Sequence, residues 1–115
     1  MKKLWNKTQN TLLVDHLSVA TTFVDRGVGL LSKSSLSDSE GLWIHRCNSI
    51  HTFFMKFSID CIFVNKDLIV DDLVENIKPW KLVLPRWRSR SVIEVPSGFI
   101  SKSKVKKGDQ LDVVS

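Results

Sequence analysis

The stretch Ile59-Asp60-Cys61-Ile62-Phe63-Val64, followed by Asn65-Lys66-Asp67 and then by Leu68 to Ile77, decides the fold. Its first six residues are apolar but for one carboxylate, and their branched and aromatic side chains fit a pleated strand. Asn65-Lys66-Asp67 is too polar to prolong that run and turns the chain into a second extended segment. Two segments joined by so short a connection pair antiparallel.

On the N-terminal side, Phe53-Phe54-Met55 reads as a further extended piece. Alternation continued to Phe57 buries Phe53, Met55 and Phe57 together and turns Phe54 and Lys56 to the opposite surface. Leu42-Trp43-Ile44-His45 also has strand composition, which puts Trp43, His45 and Cys47 on one face. Leu12 to Ala20 reads as one or two short strands around Asp15-His16. Between these segments a helix is expected. Thr22 is its N-cap, Asp25 completes a capping box, and Phe23, Gly27, Leu30 and Leu31 share a face. Ser32 to Glu40 is small and polar and reads as a loop.

On the C-terminal side, Lys78-Pro79-Trp80 ends a strand, because proline cannot donate to a ladder. Val83-Leu84-Pro85 is extended, Arg86 to Arg90 an exposed edge or loop, and Val92-Ile93-Glu94-Val95 a strand that stops at Pro96. Ser97-Gly98 opens one short helical turn, and Lys107-Gly108-Asp109 turns the chain into a last strand from Gln110 to Val114. Many strands with one main helix make an α+β fold: a compact β-rich domain with a curved, barrel-like, mainly antiparallel sheet, one main helix and a short helical turn.

The chain has 115 residues, 43% of them hydrophobic and 25% charged, enough for one domain over residues 1–115 with a single apolar core and no need of a disulfide or structural metal. Residues 1–11 read as a flexible N-terminal extension. Met1-Lys2-Lys3-Leu4 begins like a signal peptide, but Asn6, Lys7, Gln9, Asn10 and Asp15 interrupt any apolar run that could be secreted or span a membrane. A cytoplasmic protein is therefore expected, with Cys47 and Cys61 as thiols. The net charge of +5 sits mostly at the two ends and could attract nucleic acid or an acidic partner, but a solvated basic face is the simpler and preferred reading.

A resemblance rests on Arg26-Gly27-Val28-Gly29-Leu30-Leu31, Gly41-Leu42-Trp43, Thr52 to Val64, Pro79-Trp80, Ile93-Glu94-Val95-Pro96-Ser97-Gly98 and Lys107-Gly108-Asp109-Gln110-Leu111. In order and spacing these blocks resemble the ancient conserved region known as domain of unknown function 192, over nearly the whole chain from Leu17 onward. The resemblance implies a compact β-rich domain of prokaryotic origin with no established activity, so it transfers a fold and no catalytic assignment. Cys47-Asn48-Ser49-Ile50-His51 resembles a recurring subgroup of that family, whereas Arg86-Trp87-Arg88-Ser89-Arg90 is more basic than its usual segment.

The residues that could form a site are His45, Cys47, His51, Phe54, Asp60 and Trp80. Cys47 and His51 would make a thiolate–imidazole pair if the turn between them folded back, with His45 or Asp60 orienting the histidine. The blander alternative is a buried cysteine and a histidine satisfied by backbone groups. His45, Cys47, His51 and Cys61 are soft ligands without the paired spacing of a metal knuckle, so no metal and no cofactor are expected. Asp60 inside an apolar strand requires hydrogen bonds or a basic partner such as Lys56 or Arg26. Arg86, Arg88 and Arg90 beside Trp80 and Trp87 form a possible basic surface. With no base-reading motif, nucleic-acid binding there would be weak and sequence-independent. The leading reading is a small binding or accessory domain for an unknown small molecule or protein partner. A cysteine/histidine-dependent enzyme or metal-site protein, and a weak nucleic-acid binder, stand as alternatives.

Overall fold

A computed structural model describes residues 2–22, 30 and 33–115. Nine strands are described: β1 (Lys2–Asn6), β2 (Thr11–Ala20), β3 (Glu40–His45), β4 (Ile50–His51), β5 (Ile59–Val64), β6 (Val70–Ile77), β7 (Leu82–Val83), β8 (Ser91–Pro96) and β9 (Leu111–Val114), with one short helix, α1 (Phe99–Ser103), between the last two. Seven strands form one sheet in the order β6-β5-β8-β3-β2-β1-β9, and β4 pairs with β7 in a separate ribbon. The helix expected from Thr22 lies outside the described residues.

The predicted hairpin is β5–β6, with Cys61 opposite Val74 and Val64 opposite Val70. The sheet is mainly antiparallel, as expected, with one parallel pairing: β2 runs parallel to β3, with Leu17 opposite Gly41 and Ala20 opposite Ile44. A parallel pair needs a crossover of a dozen or more residues, and residues 21–39 supply it. The sheet is therefore mixed. It also curls until its two edges approach: Val70 N–H donates to Asp109 C=O at 2.9 Å, and Leu111 N–H to Leu68 C=O at 2.9 Å.

Every residue of β5 and of β8 is buried, because these neighbouring strands lie deep in the sheet order with both faces covered. Their alternation divides the core in two. Ile62, Val64, Ile93 and Val95 join Leu4, Val14, Leu17, Phe99, Ile100 and Leu111 on one face. Cys61, Phe63 and Val92 join Ala20, Leu42, Ile44, Ile50, Met55 and Val83 on the other.

The expected flexible extension over residues 1–11 is corrected. Strand β1 is inserted between β2 and β9, and Leu4 is fully buried. Asn6 Nδ2 and Gln9 Nε2 donate to the Asp109 carboxylate at 2.8 and 2.7 Å, and Lys106 N–H donates to it at 2.9 Å. Burial would raise the Asp109 pKa, but these donors outweigh it and hold the group below the usual aspartate value. Lys2 and Lys3 are exposed, as in a tail, but the alternate Leu4 and Asn6 are buried and tie the segment down.

Candidate functional site

The β4–β7 ribbon sits on the second core face. Ile50 and Val83, directly opposite each other, point into that face, while their neighbours His51 and Leu82 point outward. Beyond one end of the ribbon the chain makes two facing turns, and one buried side chain joins them. Thr52, fully buried, donates through Oγ1 to Lys78 C=O at 2.6 Å and accepts from Lys81 N–H at 2.9 Å. Its backbone N–H donates to Lys81 C=O at 2.8 Å, and its carbonyl accepts from Met55 N–H at 3.1 Å and Trp80 N–H at 3.0 Å.

The two turns share an unusual choice of residue. In the turn closed by Met55 N–H, Phe54 has φ 67°; in the turn after Pro79, Trp80 has φ 68°. Both occupy the position where a type II turn takes glycine. A left-handed backbone costs a bulky L-residue about 1–2 kcal/mol. Burial does not offset that cost, since Phe54 is 69% and Trp80 60% exposed. Their ring centroids lie 4.7 Å apart, Phe53 lies 6.0 Å from Trp80, and His51 stacks on Phe53 at 5.1 Å. Leu82 and Leu84 are exposed beside this platform.

This arrangement overturns the expected burial of Phe53. The segment is a turn, not a strand, so period-2 alternation fails. Met55 is buried and Phe57 half-buried against the second core face, but Phe53 joins the exposed set. Because Thr52 holds both turns, Thr52→Val is expected to lower stability by about 1–3 kcal/mol through its lost hydrogen bonds. It should also broaden the amide resonances of residues 53–55 and 78–81, which NMR spectra of the variant would reveal.

The six sequence candidates separate into three places. His51, Phe54 and Trp80 form the platform. His45 closes β3, its ring 4.0 Å from that of Trp43; burial, then the adjacent Arg46, hold its pKa below the usual histidine value. Cys47 follows it, its Sγ donating to Ser49 C=O at 2.8 Å. Asp60 is fully buried elsewhere: Oδ1 accepts Asn76 N–H at 2.7 Å and Oδ2 accepts Ile100 N–H at 2.9 Å. That second bond caps α1, whose own N-cap is Gly98 at φ 91°. Backbone donors thus supply the partners that Asp60 required. The described partners of Cys47, His51 and Asp60 do not include one another: Cys47 bonds to the Ser49 carbonyl, His51 stacks on Phe53, and Asp60 bonds to the Asn76 and Ile100 amides. Nor do three histidine, cysteine, aspartate or glutamate side chains there group as metal ligands.

The three arginines also differ. Arg86 Nε donates to Asp72 Oδ2 at 2.9 Å, and its guanidinium lies 5.1 Å from the centroid of the Phe63 ring. Arg88 and Arg90 are exposed.

Another buried acid lies outside the six sequence candidates. Glu94 is 4% exposed, placed between Leu42 of β3 and Cys61 of β5. Burial pushes its pKa up to about 7. The Cys61 thiol opposite is pushed well up, by burial first and then by Glu94 and Asp60. The signal was in the sequence, an acid inside Val92-Ile93-Glu94-Val95, as with Asp60.

Comparison with known proteins gives a consistent result. The family model described as an uncharacterized ancient conserved region (ACR), domain of unknown function 192, matches residues 4–113. A UPF0127 protein of Pyrococcus horikoshii is 34% identical over 109 residues, covering 92% of this chain and 94% of that protein. Another from Thermococcus sibiricus is 33% identical over 113 residues, covering 95% and 73%. Among solved structures, a Novosphingobium aromaticivorans protein of unknown function superposes with a TM-score of 0.82 at 21% identity, covering 96% of this chain and 82% of that one. A putative transcription regulator from Sinorhizobium meliloti gives 0.81 at 16% identity, covering 97% and 91%. At these identities the two structures speak to the fold alone. No helix among the described residues is long and apolar enough to cross a membrane.

Proposed function

Because the chain belongs to the family called domain of unknown function 192, which carries no established activity, we propose from its geometry that it is a small binding domain. Its recognition surface is the aromatic platform of His51, Phe53, Phe54 and Trp80, and its ligand is an apolar segment of a protein partner. The observation that carries this reading is the pair of strained, exposed aromatics, Phe54 and Trp80. Left-handed backbone at bulky residues concentrates where function requires a side chain that stability alone would not select. Leu82 and Leu84 extend the platform into an exposed apolar strip along the ribbon. Such a strip suits a peptide or protein segment better than the concave pocket a small molecule needs.

Glycine substitutions test the idea. Phe54→Gly and Trp80→Gly relieve the left-handed strain while losing little buried area. Their unfolding free energies are expected to stay within about 1 kcal/mol of the parent. Peptides selected from a random phage-displayed library against the parent protein should carry aromatic or aliphatic anchors and bind Trp80→Gly at least tenfold more weakly. A loss above about 2 kcal/mol in both glycine variants would make the aromatics structural. Selected peptides that bind Trp80→Gly as well as the parent would remove the platform as the recognition surface.

A further inference from the structure

At the opposite end of the ribbon, a cleft of about 480 Å³ is lined by Arg46, Cys47, Asn48, Lys66, Ser89 and Arg90. Topology creates it. Strands β5, β8 and β3 are neighbours, and β8 runs antiparallel to both others. The residues just after β3, just after β5 and just before β8 therefore emerge at the same end of the sheet. Each supplies one cation: Arg46 follows β3, Lys66 follows β5 and Arg90 precedes β8. Backbone bonds lace the three segments together, with Cys47 N–H donating to Arg90 C=O at 3.0 Å, Arg90 N–H to Val64 C=O at 2.8 Å and Arg86 N–H to Asn48 C=O at 2.9 Å.

The charges around the cleft are not balanced. The cations outnumber the acids: Asp72 takes Arg86 and Lys107, while Asp71 accepts the hydroxyl of the lining residue Ser89 at 2.7 Å and sets one carboxylate beside the cleft. Among the described residues, Arg46, Lys66 and Arg90 enter no ion pair. Three exposed cations around one concavity concentrate positive potential there, which draws an anion in. Arg46 itself has φ 52°, so the chain bears backbone strain at one of these cations.

We propose that this cleft binds the phosphate group of a small phosphorylated molecule. Two guanidinium forks and one ammonium match the several oxygens and double charge of a phosphate better than a single carboxylate. The volume lies in the range of small-molecule sites, so the cleft accommodates more than the phosphate itself. This site is separate from the aromatic platform, and neither depends on the other.

The test is titration of the whole chain with inorganic pyrophosphate, citrate and a short oligothymidylate, followed by amide NMR and calorimetry. Pyrophosphate is expected to bind saturably at one site per chain, shifting the amides of residues 46–48, 66 and 89–90. Arg46→Gln with Arg90→Gln should weaken binding at least tenfold at unchanged thermal midpoint. Lys66→Gln, in an exposed turn, gives an independent loss should the double variant fold poorly. Three outcomes would overturn the proposal: no saturable shift at millimolar pyrophosphate, citrate binding as tightly as pyrophosphate, or affinity that survives all three substitutions. Oligothymidylate binding that spreads over Trp87 and Arg88 without pyrophosphate competition would assign the charges to nucleic acid instead.

Discussion

Replacing Asp60 with alanine is expected to lower the stability of the protein by roughly 3 to 5 kcal/mol, the loss of two hydrogen bonds to a buried carboxylate. The carboxylate holds two distant backbone groups, Asn76 N–H in β6 and Ile100 N–H in α1. Alanine leaves the Ile100 donor buried without a partner and removes the cap of a helix whose N-cap, Gly98, makes no side-chain bond of its own. Asn76 has φ 51°, so the same change frees a strained residue in β6. Asp60→Asn should recover part of the loss, because its single carbonyl oxygen can serve only one of the two donors. Chemical denaturation of both variants measures this directly. A loss below about 1 kcal/mol for alanine would mean that water replaces the carboxylate at both sites.

The second large effect depends on pH. In the unfolded chain Glu94 releases its proton near 4.5, whereas the fold retains it up to about 7. Between those values the folded protein binds more protons, so stability falls as pH rises and is flat above. The interval corresponds to roughly 3 kcal/mol at about 1.4 kcal/mol per unit. Other groups act oppositely: the lowered pKa values of Asp72 and Asp109 remove stability in acid, and that of His45 does so as pH falls below the usual histidine value. Comparison with Glu94→Gln isolates the Glu94 contribution. The variant is expected to match the parent near pH 4.5 and to exceed it by roughly 3 kcal/mol at pH 8. Parallel stability curves across that range would mean that the fold does not raise the Glu94 pKa.

Phe54 and Glu94 show what local patterning omits. At Phe54 the sequence reads as an apolar alternation, and nothing in Thr52-Phe53-Phe54-Met55 announces a turn; the turn exists because Thr52 bonds to Lys78 and Lys81, on either side of Pro79. Glu94 is conspicuous as an acid among branched residues, but its raised pKa follows from Leu42 and Cys61 on the flanking strands. Asp60 lies between these cases. The need for partners followed from its apolar neighbours, while their identity followed from where β6 and α1 meet.

The sequence by itself determined the β5–β6 hairpin, the strand character of residues 42–45 and 92–95, the turn at Lys107-Gly108-Asp109 and the short helix after Gly98. Each of these rests on short-range chemistry: side-chain alternation, turn residues, or a left-handed glycine. Tertiary structure alone decided the parallel β2–β3 pairing, the insertion of β1 into the sheet, the exposure of Phe53, Phe54 and Trp80, and the convergence of Arg46, Lys66 and Arg90. These depend on which strands become neighbours and at which end they stop. Strand order is fixed by burying both faces of β5 and β8 at once, a condition on the whole chain that no local window contains.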